Sequence, residues 1–121
     1  MPTLEHEWHY GPTGLGKSRP IREKYPNIYV KDCNVWWDHY AREDEVIIED
    51  LGHKMIGPQF LKVWGDHYPF TAQGKGYVMK IRPKKIFITS NWSIRELYPE
   101  PQDYEPLERR YKVHHHQPPL M

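Results

Sequence analysis

Only one cysteine, Cys33, occurs in the 121 residues, which excludes an internal disulfide and fits a reducing compartment. Long apolar runs are missing as well. None approaches the ~20 residues needed to span a bilayer, and no signal-peptide pattern is visible, so the sequence reads as intracellular and soluble with no membrane partner. Charge of one sign is scarce: 17 basic and 16 acidic side chains leave a net +1 at pH 7. The molecule as a whole is therefore not a basic sponge for nucleic acid, and any such affinity must come from local clustering. There is no internal repeat, and the length is that of one domain. Aromatic residues are plentiful instead: five tryptophans and nine tyrosines supply bulk to a core short of aliphatics.

The densest signal lies near the start. Gly11-Pro12-Thr13-Gly14-Leu15-Gly16-Lys17-Ser18 fits G-x-x-x-x-G-K-[ST] at every fixed position. Glycines let backbone N–H groups curl around phosphate oxygens, because a Cβ would block both the approach and the φ angles. Lys17 can reach the β- and γ-phosphates, and the Ser18 hydroxyl can join a Mg²⁺ shell. The β-like segment Glu7-Trp8-His9-Tyr10 precedes the loop, and a helix starting near Gly16 or Lys17 would add its N-terminal dipole. Pro20 falls in the first turn, where its missing N–H costs nothing.

Further along, Ile28-Tyr29-Val30 reads as a short buried strand, and Val46-Ile47-Ile48 is an apolar run closed by Glu49 and Asp50. Trp36-Trp37-Asp38-His39-Tyr40 reads as packing material. Gln59 to Asp66 suits a short helix with Phe60, Val63 and Trp64 on one face. Gly74-Lys75-Gly76 sits between two strand-like arms as a hairpin tip. Ile86-Phe87-Ile88-Thr89 is another buried strand, ended by Ser90-Asn91, and Tyr111-Lys112-Val113 a last one. Strands separated by crossovers argue for an α/β fold with a mostly parallel sheet. The domain core is expected at 1–113 and a disordered tail at 114–121.

In such a sheet, ligands gather beyond the carboxyl ends of the strands. The phosphate loop, Glu49-Asp50 and Asn91 each follow a strand and should converge on one edge. An apolar run followed by two acids has the form of a Walker B element, one carboxylate for Mg²⁺ and one to orient the attacking water. Asn91 could hold that water or sense the γ-phosphate. From Thr71 to Lys85 there are five basic side chains, Lys75, Lys80, Arg82, Lys84 and Lys85, and no acid. With Tyr77 nearby, such a cluster can track a phosphate backbone and stack a base without reading sequence.

The ordered set of motifs, Gly11–Ser18, Trp36–Tyr40, Val46–Leu51, His67-Tyr68-Pro69-Phe70 with Gly74-Lys75-Gly76, and Ile86–Asn91, resembles the superfamily 3 helicase domain of the replication-associated (Rep) proteins of circovirus-like circular single-stranded DNA viruses. The resemblance covers about positions 7–113. It implies a P-loop NTPase of modified AAA+ type, a three-layer sandwich around a five-stranded, mostly parallel sheet. It also implies ATP and Mg²⁺ as cofactors, single-stranded DNA as partner, hexameric rings, and a place in the host nucleus. Carried over by position, Lys17 and Ser18 match the Walker A ligands, Glu49 the metal-associated acid, Asp50 the acid that activates water, and Asn91 the polar sensor. The family more often has Asp at the first acid, so Glu49 leaves the division of labour between the two acids open. Lys75 matches the hairpin lysine that faces the ring channel, with Tyr77, Lys80 and Arg82 beside it as the DNA set. Arg109-Arg110 resembles the pair that supplies an arginine finger to a neighbour's ATP, and spacing favours Arg109. His39 stands where the family often has Gly, which reads as a packing difference.

Three features are set aside. His6-Glu7-Trp8-His9 is not H-E-x-x-H, and a strand points His6 and His9 to opposite faces, so no zinc site is expected there. His114-His115-His116 looks like a metal-binding tract, but nothing else in the sequence supplies a ligand set. Cys33 has no neighbouring base and reads as a small hydrophobe. Rep proteins usually carry an endonuclease domain ahead of the helicase, and Met1 lies only ten residues before the phosphate loop. An isolated helicase core is therefore expected, without nicking activity. The competing readings are a nucleotide- or DNA-binding fragment that does not unwind, and a small P-loop kinase.

Overall fold

Strands buried on both faces must be apolar at every position rather than at alternate ones, and two segments meet that condition. Val46, Ile47 and Ile48, and Ile86, Phe87 and Ile88, are all buried. They form the centre of the sheet in a computed structural model that describes residues 5–12 and 16–117. The elements run β1 (His6–Tyr10), α1 (Arg19–Lys24), β2 (Tyr29–Lys31), β3 (Glu45–Leu51), α2 (Pro58–Trp64), β4 (Phe70–Gly74), β5 (Tyr77–Ile81), β6 (Lys85–Ser90), α3 (Ile94–Leu97), α4 (Pro101–Arg110) and β7 (Tyr111–His115). Five strands form one sheet in the order β2-β3-β6-β1-β7, and every pairing is parallel. The α/β fold with a five-stranded parallel sheet is thus as expected. No helix among the described residues is long and apolar enough to cross a membrane.

Side-chain alternation divides the core between the two faces. Trp8, Val46, Ile48, Ile86 and Ile88 join Leu61, Trp64, Ile94, Leu97 and Leu107 of α2, α3 and α4 and Phe70, Ala72 and Ile81 of the β4–β5 hairpin. On the other face, Ile47 and Phe87 pack with Ile21 of the six-residue α1. That helix starts at Arg19 with Ser18 as its N-cap residue, slightly later than the sequence suggested, and holds Pro20 in its first turn as expected. In α2 the core-facing residues are Leu61 and Trp64, while Phe60 and Val63 are exposed, which corrects the expected face.

Lys31, at the end of β2, is 1% exposed. Its Nζ donates to the carbonyls of Asp32, Asn34 and Trp36 and lies 4.9 Å from the Trp64 ring centre and 5.3 Å from that of Trp37. Burial pushes its pKa down to about 8. This cation fixes the Trp36–Tyr40 segment on which the hairpin rests, where Trp37 N–H donates to the Gln73 carbonyl (2.9 Å). In that segment His39 has φ 63°. That is the left-handed region, which glycine adopts freely, so a backbone constraint acts at this position beside the packing difference expected there.

Two features between Asn91 and the C-terminus depart from expectation. Helices α3 and α4 occupy a stretch with no helical reading, although Ser93 and Glu96 form a capping box at the start of α3. The tail expected to be disordered from position 114 instead begins inside β7. His114 and His115 pair with His9 and Tyr10, and the His116 N–H donates to the Tyr10 carbonyl (2.7 Å). The ladder is lined by stacked rings, His9 on His114 at 4.5 Å and Tyr10 on His115 at 4.4 Å. Aromatic stacking replaces the apolar alternation that sequence reading relies on.

Tyr111, at the start of β7, is fully buried and donates its hydroxyl to the Leu61 carbonyl (2.9 Å). Burial raises its pKa far above the ordinary phenol value, as it does for Tyr98. The folded state therefore keeps protons that the unfolded chain releases near pH 10, and stability that is full below about pH 10 is lost above it. Tyr111→Phe should cost about 0.5–1.5 kcal/mol at pH 7 and lessen the loss between pH 7 and 11, measured by urea unfolding; an unchanged alkaline loss would contradict this. A Cβ on Gly11 would lie 2.2 Å from the His116 carbonyl oxygen, a backbone atom that no rotamer moves aside. Gly11→Ala should lower stability by about 1–3 kcal/mol and speed amide exchange at His116, with wild-type exchange counting against the account.

Candidate functional site

Because β3, β6 and β1 are adjacent and parallel, the segments that follow them emerge at one edge of the sheet. Asn91 and the phosphate loop lie on the segments that follow β6 and β1, and Glu49-Asp50 lie in the last residues of β3 at the same edge. The sequence expectation that the three converge is met by this topology. A set of short bonds ties the three strand ends together. The Gly11 N–H donates to the Ser90 carbonyl (3.1 Å), and the Ser90 hydroxyl donates to the Leu51 carbonyl (2.6 Å) and accepts the Trp92 N–H (3.0 Å).

Thr13, Gly14 and Leu15 lie outside the described residues. On the remainder of the loop, Lys17 is 7% exposed, with Nζ donating to the carbonyls of Gly11 (2.9 Å) and Pro12 (3.0 Å). Gly16 has φ 66°, in the region that favours glycine. Glu49 is half-buried and faces Arg22 of α1, which grips both carboxylate oxygens: Nε donates to Oε2 at 2.8 Å and Nη2 to Oε1. The Arg22 bond holds the Glu49 carboxyl below its usual pKa, with the Ser18 hydroxyl adding to the effect against burial. Ser18 and Glu49 therefore share one corner of the site. Asp50 differs in kind. It is exposed, has φ 59°, and donates its N–H to Thr89 Oγ1 (3.1 Å), at the register shift between Ile48 and Leu51. Asn91 is exposed immediately beyond β6.

Arg22 was missed in the sequence because it lies 27 residues from its partner and belongs to no motif. Cys33 donates its thiol to the Glu49 carbonyl (3.0 Å), and burial raises its pKa, so it is a packed thiol and not an activated nucleophile.

The hairpin has its tip at Lys75-Gly76, as expected. Lys75 is exposed, and its backbone N–H donates to Asp38 Oδ1 (2.8 Å). Tyr77 leaves part of its ring exposed and donates its hydroxyl to the Trp37 carbonyl (3.0 Å). Lys80 is exposed. Arg82 is turned inward: its guanidinium donates to the carbonyls of Trp64, Asp66 and Pro83 and lies 5.3 Å from the Phe70 ring centre. It braces the hairpin base, which removes it from the outward cationic set.

Arg109 and Arg110 end α4, next to Tyr111, which pairs with His6 at the amino end of the sheet. They therefore sit at the edge opposite the phosphate loop, separated from it by the length of β7, roughly 13–17 Å at ~3.3 Å per residue. The two differ in freedom. Arg110 donates to Asp66 Oδ2 (3.1 Å) and the Pro106 carbonyl (3.0 Å). Arg109 is 72% exposed in its side chain and lies 4.0 Å from Glu105, too loose to hold it.

Residues 7–92 match the family model for RNA helicase. The chain is 37% identical over 102 residues to the replication-associated protein of beak and feather disease virus, covering 84% of this chain and 35% of that protein. It is 36% identical over 101 residues to the replication-associated protein of human associated cyclovirus 1, covering 78% of the chain and 36% of the relative. With that of canary circovirus it shares 38% over 81 residues, 67% of the chain and 28% of the relative. The chain thus spans about a third of the length of these curated relatives. An edge that gathers a phosphate loop, two acids and an asparagine, with these matches, places the chain in the RNA helicase family as a circovirus-like Rep helicase domain of superfamily 3 type.

Proposed function

We propose that this domain hydrolyses ATP to drive movement along single-stranded DNA within a viral replication initiator, as one subunit of a hexameric ring acting in the host nucleus. The observation that carries the reading is the strand order β3-β6-β1, which brings Lys17, Glu49, Asp50 and Asn91 to one edge. The residues present fit Mg²⁺–ATP. Lys17 is a buried cation satisfied by two carbonyls of its own loop, and such a group exchanges readily for phosphate oxygens. Ser18 and Glu49 would hold Mg²⁺, which would neutralise charge on the phosphates. Glu49 must first leave Arg22. Asp50, free at the solvent side, would orient the attacking water, and Asn91 would sense the γ-phosphate.

Arg109 completes the site only from a neighbouring subunit, since its own phosphate loop is at the opposite edge. Lys75 and Lys80 would follow the DNA backbone, with the exposed part of the Tyr77 ring offering a stacking surface. The same separation of edges supports a second reading, in which a lone subunit binds nucleotide or DNA without turning over. A small-molecule kinase is less well supported, since it gives Lys75 and Arg109 no task.

ATPase rate measured against protein concentration, with and without single-stranded DNA, tests the reading. Turnover per subunit should rise with concentration and with DNA, and Lys17→Ala should abolish it; full turnover in that variant would sink the site assignment. Arg109→Ala should keep nucleotide binding but lose about 10³-fold or more in turnover. Arg110→Ala should act first on stability, through the lost Asp66 pair. Loss of binding in the Arg109 variant, or turnover independent of concentration, would argue against a shared site.

A further inference from the structure

The α1 face of the sheet is unevenly covered. Helix α1 packs over Ile47 and Phe87, and beyond them the face carries polar side chains from β1 and β7. Glu7 and His9, two residues apart on β1, share this face, and His114 of β7 stacks on the His9 ring with only 6° between planes. We propose that Glu7, His9 and His114 form a binding site for a Zn²⁺-class divalent cation, distinct from the phosphate site.

The geometry suits such an ion. His9 Nε2 lies 2.8 Å from Glu7 Oε1, His114 Nε2 lies 3.6 Å from the same oxygen, and all three donor atoms fall within 4.8 Å of one another. Ligand atoms at 2.0–2.1 Å from a tetrahedral zinc are separated by about 3.3 Å, so small side-chain adjustments bring the three into register. An independent sign is the His114 Nε2 atom, which is buried and has no hydrogen-bond partner among the described residues. At 3.6 Å from Glu7 it is too far for a hydrogen bond, and a cation between them would satisfy it.

The surrounding groups already hold the ligands in place. His9 Nδ1 lies 2.8 Å from His116 Nε2, which orients the ring and leaves Nε2 for the ion. Lys85 Nζ lies 3.4 Å from Glu7 Oε2, so Oε1, which His9 Nε2 meets at 2.8 Å, is the oxygen turned to the ion position, and an ion would take over that contact. Two imidazoles and a carboxylate are a zinc-type donor set with one position open to water, unlike the all-oxygen shells that Mg²⁺ prefers. The histidine tract is not a generic chelator, because His115 points to the opposite face and stacks on Tyr10 with 3° between planes. Residues 7, 9 and 114 are brought together only by the β1–β7 pairing, which is why neither histidine segment signals a site in the sequence.

Zn²⁺ titration of the whole chain against a chromophoric chelator, in excess Mg²⁺, tests the proposal, with Co²⁺ absorption reporting ligand geometry. One Zn²⁺ per chain is expected, Co²⁺ should give the intense visible bands of a four-coordinate site, and Zn²⁺ should raise the melting temperature. Glu7→Gln, which keeps the side chain's shape, and His114→Ala should each weaken binding at least about tenfold and remove the thermal shift, while His115→Ala should bind as wild type. The proposal is overturned by absent or non-stoichiometric binding, by unchanged affinity in Glu7→Gln, or by His115→Ala weakening binding as much as His114→Ala.

Discussion

The Ser90 hydroxyl, fully buried at the end of β6, donates to the Leu51 carbonyl and accepts the Trp92 N–H, while the Ser90 carbonyl accepts the Gly11 N–H. Through one residue the ends of β3, β6 and β1 are held at hydrogen-bond distance from a common point. Each of these buried groups would cost about 1–3 kcal/mol if left unpaired, so the edge is fixed where the sheet stops and not by the loops beyond it. The phosphate loop, the acid pair and Asn91 inherit their relative positions from that constraint. The all-parallel sheet underneath is what makes three separate strand ends point the same way.

The same polarity divides the site. In a parallel sheet everything that follows a strand lies at one edge and everything that precedes it at the other. Lys17 and Asn91 follow β1 and β6, and Glu49 and Asp50 lie at the carboxyl end of β3, whereas Arg109 and Arg110 precede β7. The fold thus separates Lys17, Glu49, Asp50 and Asn91 from the exposed Arg109 by the length of the sheet. Arg110 is held by Asp66 and the Pro106 carbonyl, and Arg109 extends outward. Within the phosphate edge, Arg22 occupies both oxygens of Glu49, so one acid is engaged while Asp50 is exposed. The two carboxylates are thereby given different environments, which fits them to different tasks.

What could be read in the sequence follows from how each element is stabilised. Strands β3 and β6 are continuous apolar runs, and the β4–β5 hairpin has glycines around its tip, so both were legible. Helix α4 was not, because Pro101 and Pro106 fall within it. Its Pro101 sits at the first turn, where proline is harmless, and tertiary packing of Leu107 outweighs the bond that Pro106 forfeits. Strand β7 was legible as far as Val113, but its continuation through His114 and His115 escaped because imidazole and phenol stacking takes the place of alternating aliphatics. The roles of Arg22 and Arg82 depend on partners distant in the chain, and no local spacing carries that information. Among the cations between Thr71 and Lys85, sequence alone could not separate Lys75 and Lys80, which are exposed, from Arg82, which spends its donors on the carbonyls of α2 and its flank.

The central claim is that one subunit's phosphate edge works with the neighbour's arginine edge. The most direct measurement mixes two inactive proteins, one carrying Lys17→Ala with its arginines intact, the other carrying Arg109→Ala with its phosphate loop intact. Shared sites predict that ATP hydrolysis returns in the mixture, since some interfaces then combine an intact loop with an intact arginine. A mixture as inactive as either protein alone, despite their co-assembly, would contradict the account.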